Sequence, residues 1–189
     1  MREEKLLSRL VGALERAGVP YLFTGSFASS LQGSPRAIGN LDLVVRLQAG
    51  RVRELKAAFP PPDFELDEQA ALQALAAGES FALVDPESGG RVDFWPASES
   101  TFDRSRFARR RFEEFQGLRL PVSSPEDTIL VKLYWGARSG EAKKQVEDAR
   151  GVYELQHSRL DKAYLRRWAA ELGVALELEK LERQAQPLG

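Results

Sequence analysis

The sequence has no cysteine and a single histidine, His157. The first absence excludes disulfides and thiolate zinc sites. The second excludes histidine-rich metal clusters and leaves a Ser-His-Asp triad no route except through His157. No apolar run approaches the roughly 20 residues needed to span a bilayer. The opening stretch MREEKLLSRLVGALERAG sets acids before its apolar positions and has no apolar block of signal-peptide length. A cytoplasmic protein that does not use the membrane is therefore expected. An excess of charge is also missing. The 27 basic and 28 acidic residues leave a formal net charge of −1, so no global field draws the chain to nucleic acid or to an anionic surface. Any polyanion has to be held by a local patch.

What is present is globular in character. With 189 residues, 43% hydrophobic and 29% charged, the chain suffices for one domain, or for a small domain with a helical extension. Leu6, Leu7, Leu10, Val11 and Leu14 recur at helical spacing and predict a helix over 3–17, stopped at Gly18. VPYLF (19–23) reads as a short strand, FASSLQG (27–33) as one or two helical turns, and LDLVVRL (41–47) as a central strand. Helices are expected over 51–59, closed by the prolines 60–62, and over 67–77. SFALVD and RVDFW flank the turn PESGG as a hairpin, and residues 110–122 form a second hairpin candidate. Pro125 then opens a helix with Ser124 as N-cap, and only helical patterns follow to about residue 185. The expected class is α+β: a mixed-sheet unit over 1–121 with flanking helices, followed by a helical region over 122–189.

Chemistry concentrates in TGSFASSLQGSPRAIGNLDLVV, residues 24–45. A strand, a Gly-Ser turn and a helix start place N–H groups and the Ser26 hydroxyl where a phosphate can sit, with Gly25 allowing close approach. By itself this pattern is more often a plain turn. Asp42 strengthens it, because a carboxylate among Leu41, Leu43, Val44 and Val45 is costly to bury unless paired or bound to a cation. Asp93, in RVDFW, repeats the situation. Two such acids near a phosphate cradle suggest a divalent-cation site for phosphoryl chemistry. Arg36, Arg46 and Arg91 are the arginines that could satisfy them without a metal.

This order of motifs resembles the nucleotidyltransferase superfamily, in which a hydrophobic Gly-Ser turn precedes an Asp-x-Asp/Glu strand and a third carboxylate on a later strand. Within it the chain looks like the AbiEii-like, toxin-type or minimal nucleotidyltransferases, since SPEDTILVKLYWG and KQVEDARGVYEL resemble that group's helical motifs. The resemblance covers about residues 19–155. It implies a small mixed sheet bearing Mg²⁺, with Mn²⁺ as an alternative ion, and helices closing over an NTP. A nucleoside monophosphate would pass to a hydroxyl of tRNA or protein, and a cognate antitoxin would be a partner. By position, Gly25 and Ser26 match the phosphate turn. Asn40 and Asp42 match the metal-ligand pair, and Asp93 the third carboxylate. Lys132 and Asp148 match the two helical residues, with Lys132 suited to neutralising triphosphate charge. Arg36 is a further phosphate candidate.

Asn40 departs from this pattern, because the first ligand is ordinarily Asp. An Asn carbonyl can ligate Mg²⁺ but brings no charge, and Gly39-Asn40 is equally a turn with an Asx-type hydrogen bond. The implied outcomes are therefore two: a working transferase, or a chain that keeps the fold and binds a nucleotide or a partner without the chemistry. An aminoglycoside-type transferase shares the motif and would need an acidic pocket. Lys132 could equally lie on a solvated helix face, and Asp148 could pair with Lys144 or Arg150 on its own helix. The run RSRFARRRF (104–112) reads as an exposed strand edge or, with less weight, as a patch for RNA.

Overall fold

The structure, a computed structural model, describes residues 2–35, 39–139 and 142–186. The apolar stripe of α1 (Arg2–Arg16) is buried from Leu6 to Leu14, and the helix is ended at Gly18, whose φ of +59° suits glycine. β1 (Tyr21–Thr24), α2 (Gly25–Gln32) and β2 (Leu41–Val45) follow, then α3 (Val52–Ala58), β3 (Glu65–Leu66) and α4 (Glu68–Ala77). The first predicted hairpin is β4 (Phe81–Asp85) with β5 (Gly90–Pro96), and the second is β6 (Arg111–Phe115) with β7 (Leu118–Val122). Between them lies α5 (Thr101–Arg109); α6 (Pro125–Gly136), α7 (Ala142–Gln156), α8 (Lys162–Glu171) and α9 (Ala175–Gln184) complete the chain. The strands form one mixed sheet in the order β3-β4-β5-β2-β1-β7-β6. The central pairs are β1 with β2, antiparallel, and β2 with β5 and β1 with β7, both parallel.

Two expectations need correction. α2 starts at Gly25, not at residue 27, so the Gly-Ser turn is itself the first turn of a helix. Residues 104–109 are helical, not an exposed strand edge. Ser100 caps α5, its Oγ accepting from the Asp103 N–H at 3.1 Å, and Phe102, Arg106 and Phe107 are buried at helical spacing. The dense arginines masked that period, and burial of Arg106 takes it out of any surface patch for RNA.

Strand alternation divides the central sheet into two faces. Tyr21, Phe23, Leu43, Val45, Val92 and Phe94 point into the main apolar core with α1 and α2. Leu22 and Val44 point the other way, against Phe107 of α5, with Trp95 packed beside them. The helical region has its own cluster, in which Ile129, Leu130 and Leu133 of α6 meet Val152 of α7, Leu165 of α8 and Leu178 of α9. α2 joins the two. Buried Gln32 donates to the Ser123 carbonyl at 2.6 Å and accepts from the Thr128 hydroxyl at 2.8 Å, and Gln156 donates to its carbonyl at 3.0 Å. At Gly33 the chain runs so close to α7 that a Cβ would lie 2.8 Å from the Val152 nitrogen and 2.9 Å from the Gly151 carbonyl carbon.

Because those obstructing atoms are backbone, Gly33→Ala should cost about 1–3 kcal/mol, read as a lower urea midpoint. Gly50→Ala, where a Cβ meets nothing within 4 Å, should stay within about 0.5 kcal/mol. Asp85, buried in the β4–β5 turn, supplies a second test. Burial alone would raise its pKa. The Ser88 hydroxyl at 2.9 Å, the N–H groups of Ser88 and Glu87, and Arg9 outweigh that and hold it below the usual carboxylate range. A depressed pKa gives stability that is present above the unfolded value of about 3.9 and is lost as pH falls through the folded one. The stability gap between wild type and Asp85→Asn should therefore narrow as denaturation is repeated below about pH 4.

Candidate active site

The face opposite the main core carries the candidate chemistry. Thr24 of β1 is in register with Asp42 of β2, and Asp42 with Asp93 of β5. The three side chains form one row across three strands, because register partners share a face. Val44 and Trp95 continue the same face one step along each strand. The row opens onto a cavity of about 530 Å³ whose lining includes Gly25, Ser26, Asn40, Lys132, Trp95, Arg106 and Trp135.

Asp42 is the most constrained member. Its Oδ1 accepts from the Trp95 indole N–H at 3.1 Å, and the Ser26 N–H, in the first turn of α2, also donates to it. Burial pushes its carboxyl up, and neighbouring Asp93 pushes the same way. Trp95, Lys132 and Ser26 pull it down without cancelling the rise. Gly25 makes the arrangement sterically feasible. Its φ is +60°, and a Cβ there would come within 2.2 Å of Asp42 Oδ2. Asp93 is engaged at both oxygens. Arg91 reaches Oδ1 through Nη2 at 2.7 Å and Nε at 2.9 Å, and Asn40 donates its Nδ2–H to Oδ2 at 3.3 Å.

Lys132 and Asp148, sixteen residues apart on α6 and α7, form a buried ion pair at 2.7 Å. Lys132 reaches the cavity from α6, and Asp148 stands behind it. Asp148, for which the sequence offers Lys144 and Arg150 on its own helix, thus has a partner on another helix, Lys132. Arg36 lies outside the described residues. His157 belongs to no triad; its Nε2 is 3.0 Å from Lys162 Nζ.

Residues that sequence reasoning passed over are Trp95, Trp135, Arg106 and Asp127. Trp95 stands two positions after Asp93, so alternation alone puts both on one face. Trp135 stands three after Lys132 and shares its helix side. Arg106 pairs within α5 through Nη1 to Asp103 at 3.0 Å and reaches across through Nη2 to Thr24 Oγ1 at 3.3 Å, the latter a long-range contact with no local signal. Asp127 is fully buried at the start of α6, where it accepts from Ser124 at 2.8 Å and from the Tyr164 hydroxyl at 2.7 Å. Burial pushes its carboxyl up against those bonds. These contacts fix the first turn of α6 and with it the placing of Lys132 and Trp135.

No group of three or more His, Cys, Asp or Glu side chains gathers as a metal cage among the described residues. Mg²⁺ needs fewer, since it is ordinarily held by one or two carboxylates together with substrate phosphates and water. The adjacent Asp42 and Asp93 fit a cation that arrives with a nucleotide, and their mutual repulsion is what such a cation would relieve.

No family model matches the sequence, and no curated protein matches it. Solved structures do match it in fold. ANT(2'')-Ia, crystallised in complex with adenylyl-2''-tobramycin, aligns with a TM-score of 0.57 at 16% identity, over 92% of this chain and 98% of that one. The solution structure of the same antibiotic-resistance factor gives 0.56 at 17% identity, over 95% and 97%. A nucleotidyltransferase-like protein from Paracoccidioides brasiliensis gives 0.49 at 18% identity, over 92% and 91%. The chain therefore has a nucleotidyltransferase-like fold, with the row of Thr24, Asp42 and Asp93 at its centre.

Removing one partner of a buried pair leaves an uncompensated charge. Asp148→Asn should therefore cost roughly 3 kcal/mol in chemical denaturation, and Lys132→Met a similar amount. The double variant should cost clearly less than the two added together.

Proposed function

We propose that this protein transfers a nucleoside monophosphate from an NTP to a hydroxyl group. The observation that carries the reading is the Asp42–Asp93 pair, side by side on one sheet face, facing the Gly25-Ser26 helix start with Lys132 reaching the same cavity. A triphosphate would lie between that helix start and Lys132, where N–H groups and an ammonium offset its charge. A divalent ion bound with it, held by Asp42 and Asp93, would supply further charge neutralisation at the phosphates. The acceptor oxygen forms a bond to the α-phosphorus as the bond to the bridging oxygen breaks, and pyrophosphate leaves. The hydroxyl proton passes to the carboxylate pair, in which Asp93 matches by resemblance the third carboxylate, a residue that either ligates metal or activates the acceptor hydroxyl. The helical motifs support the AbiEii-like group, an RNA or protein hydroxyl as acceptor, and a toxin role beside an antitoxin. The small-molecule hydroxyl modified in the tobramycin complex of ANT(2'')-Ia supports a second acceptor class.

A second reading, nucleotide or partner binding without chemistry, is favoured by Asn40 and by the hold that Arg91 and Asn40 have on Asp93. Calorimetric titration of each NTP with Mg²⁺ separates the two. The expected result is Mg²⁺-dependent binding of an NTP, lost in Asp42→Asn, and tightened roughly ten-fold in Asn40→Asp by the added charge. Binding that ignores the metal, with no transfer of labelled nucleotide to RNA, protein or aminoglycoside, would favour the second reading.

A further inference from the structure

Trp135 lies on the cavity wall and is 41% exposed, so a large apolar ring faces the open cavity. Its neighbours hold it there. The Trp95 ring lies 5.5 Å away at an interplanar angle of 55°, and the Tyr134 ring meets it edge-on at 5.8 Å. The Arg138 guanidinium sits 3.8 Å from the Tyr134 ring centre. Trp95 is itself pinned by the hydrogen bond from its indole N–H to Asp42. An aromatic surface is thus presented in a fixed orientation, with Val131 and Pro96 adding apolar wall in the same cavity. The cavity, at about 530 Å³, falls within the range of about 300–1,000 Å³ that accommodates small organic ligands.

We propose that the exposed Trp135 ring, backed by Trp95, is the stacking platform for the nucleobase of the donor nucleotide. The proposal rests on the transferase reading in one respect only, the identity of the ligand as an NTP. Aromatic wall and phosphate end are joined by a short physical path, from Trp135 to Trp95 to Asp42. A planar base on Trp135 therefore leaves its phosphates directed along the wall toward the Asp42–Asp93 row. Stacking is tolerant of base identity because every base has a π-face, so the platform supplies affinity for any base, and discrimination among bases has to come from polar groups at the ring edge.

The test compares ligands that share the phosphate end and differ in the ring. Calorimetry with Mg²⁺ would be run on the wild type, Trp135→Phe and Trp135→Ala, with each NTP and with tripolyphosphate. Trp135→Ala should weaken NTP binding about ten-fold, Trp135→Phe should retain most of it, and tripolyphosphate should bind all three alike. Equal loss of NTP and tripolyphosphate in Trp135→Ala would show a structural role and overturn the proposal, as would unchanged NTP binding. Nucleosides without phosphate supply an independent arm through quenching of the wild-type indole fluorescence. Quenching by nucleosides with no tripolyphosphate binding would support the platform while sinking the transferase reading. Tripolyphosphate binding with no quenching would do the reverse.

Discussion

A carboxylate set into a strand that is apolar on both faces is the constraint around which this structure is organised. Asp42 lies between Leu41 and Leu43 along the chain and between Thr24 and Asp93 across the sheet. Desolvation of an unpaired carboxylate at such a place costs several kcal/mol. The surroundings answer that cost from several directions. β1 is followed by a glycine, Gly25, where any side chain would strike the carboxylate. α2 begins at that glycine, so the Ser26 N–H in its first turn faces the charge. β5 brings an indole N–H, and α6 brings an ammonium at a longer range. What a bare aspartate needs to stay ionised here and what a triphosphate needs to bind are nearly the same set of donors.

Asp93, one strand away, is treated differently. Arg91, half exposed, holds one oxygen and Asn40 the other. An aspartate at position 40 would put a third negative charge where the amide now donates, with Asp42 and Asp93 already repelling each other. Asn40 therefore relaxes the resting site and leaves fewer charges to attract a cation. Resting stability and metal affinity pull in opposite directions at this residue.

Much of this was legible in the sequence, because it follows from period and punctuation. The α1 stripe, the two hairpins, the Ser124-Pro125 helix start and the placing of acids inside apolar strands are local patterns. Asp42 and Asp93 were both recognisable as misplaced charges, although their adjacency depends on β2 pairing with β5 across the intervening α3, β3, α4 and β4, which no local pattern encodes. Lys132 and Asp148 stood out singly, while their pairing waited on the packing of α6 against α7. Trp95 and Trp135 were readable in principle from the spacing of Asp93 and Lys132, and were missed because aromatic residues default to the core. α5 was misread because charge density hid a helical period, and the reach of Arg106 to Thr24 has no trace in neighbouring residues.

The close approach of Gly33 to Gly151 and Val152 has a mechanical side. α2 is eight residues long, about 12 Å at 1.5 Å per residue. One of its ends presents Ser26 to Asp42 and the other abuts the backbone of α7. A short helix pressed on both ends behaves as a strut. A push on the outer side of α7 beside Gly151 and Val152 would be passed along α2 toward the carboxylates, so contact made on α7 would be felt at Asp42.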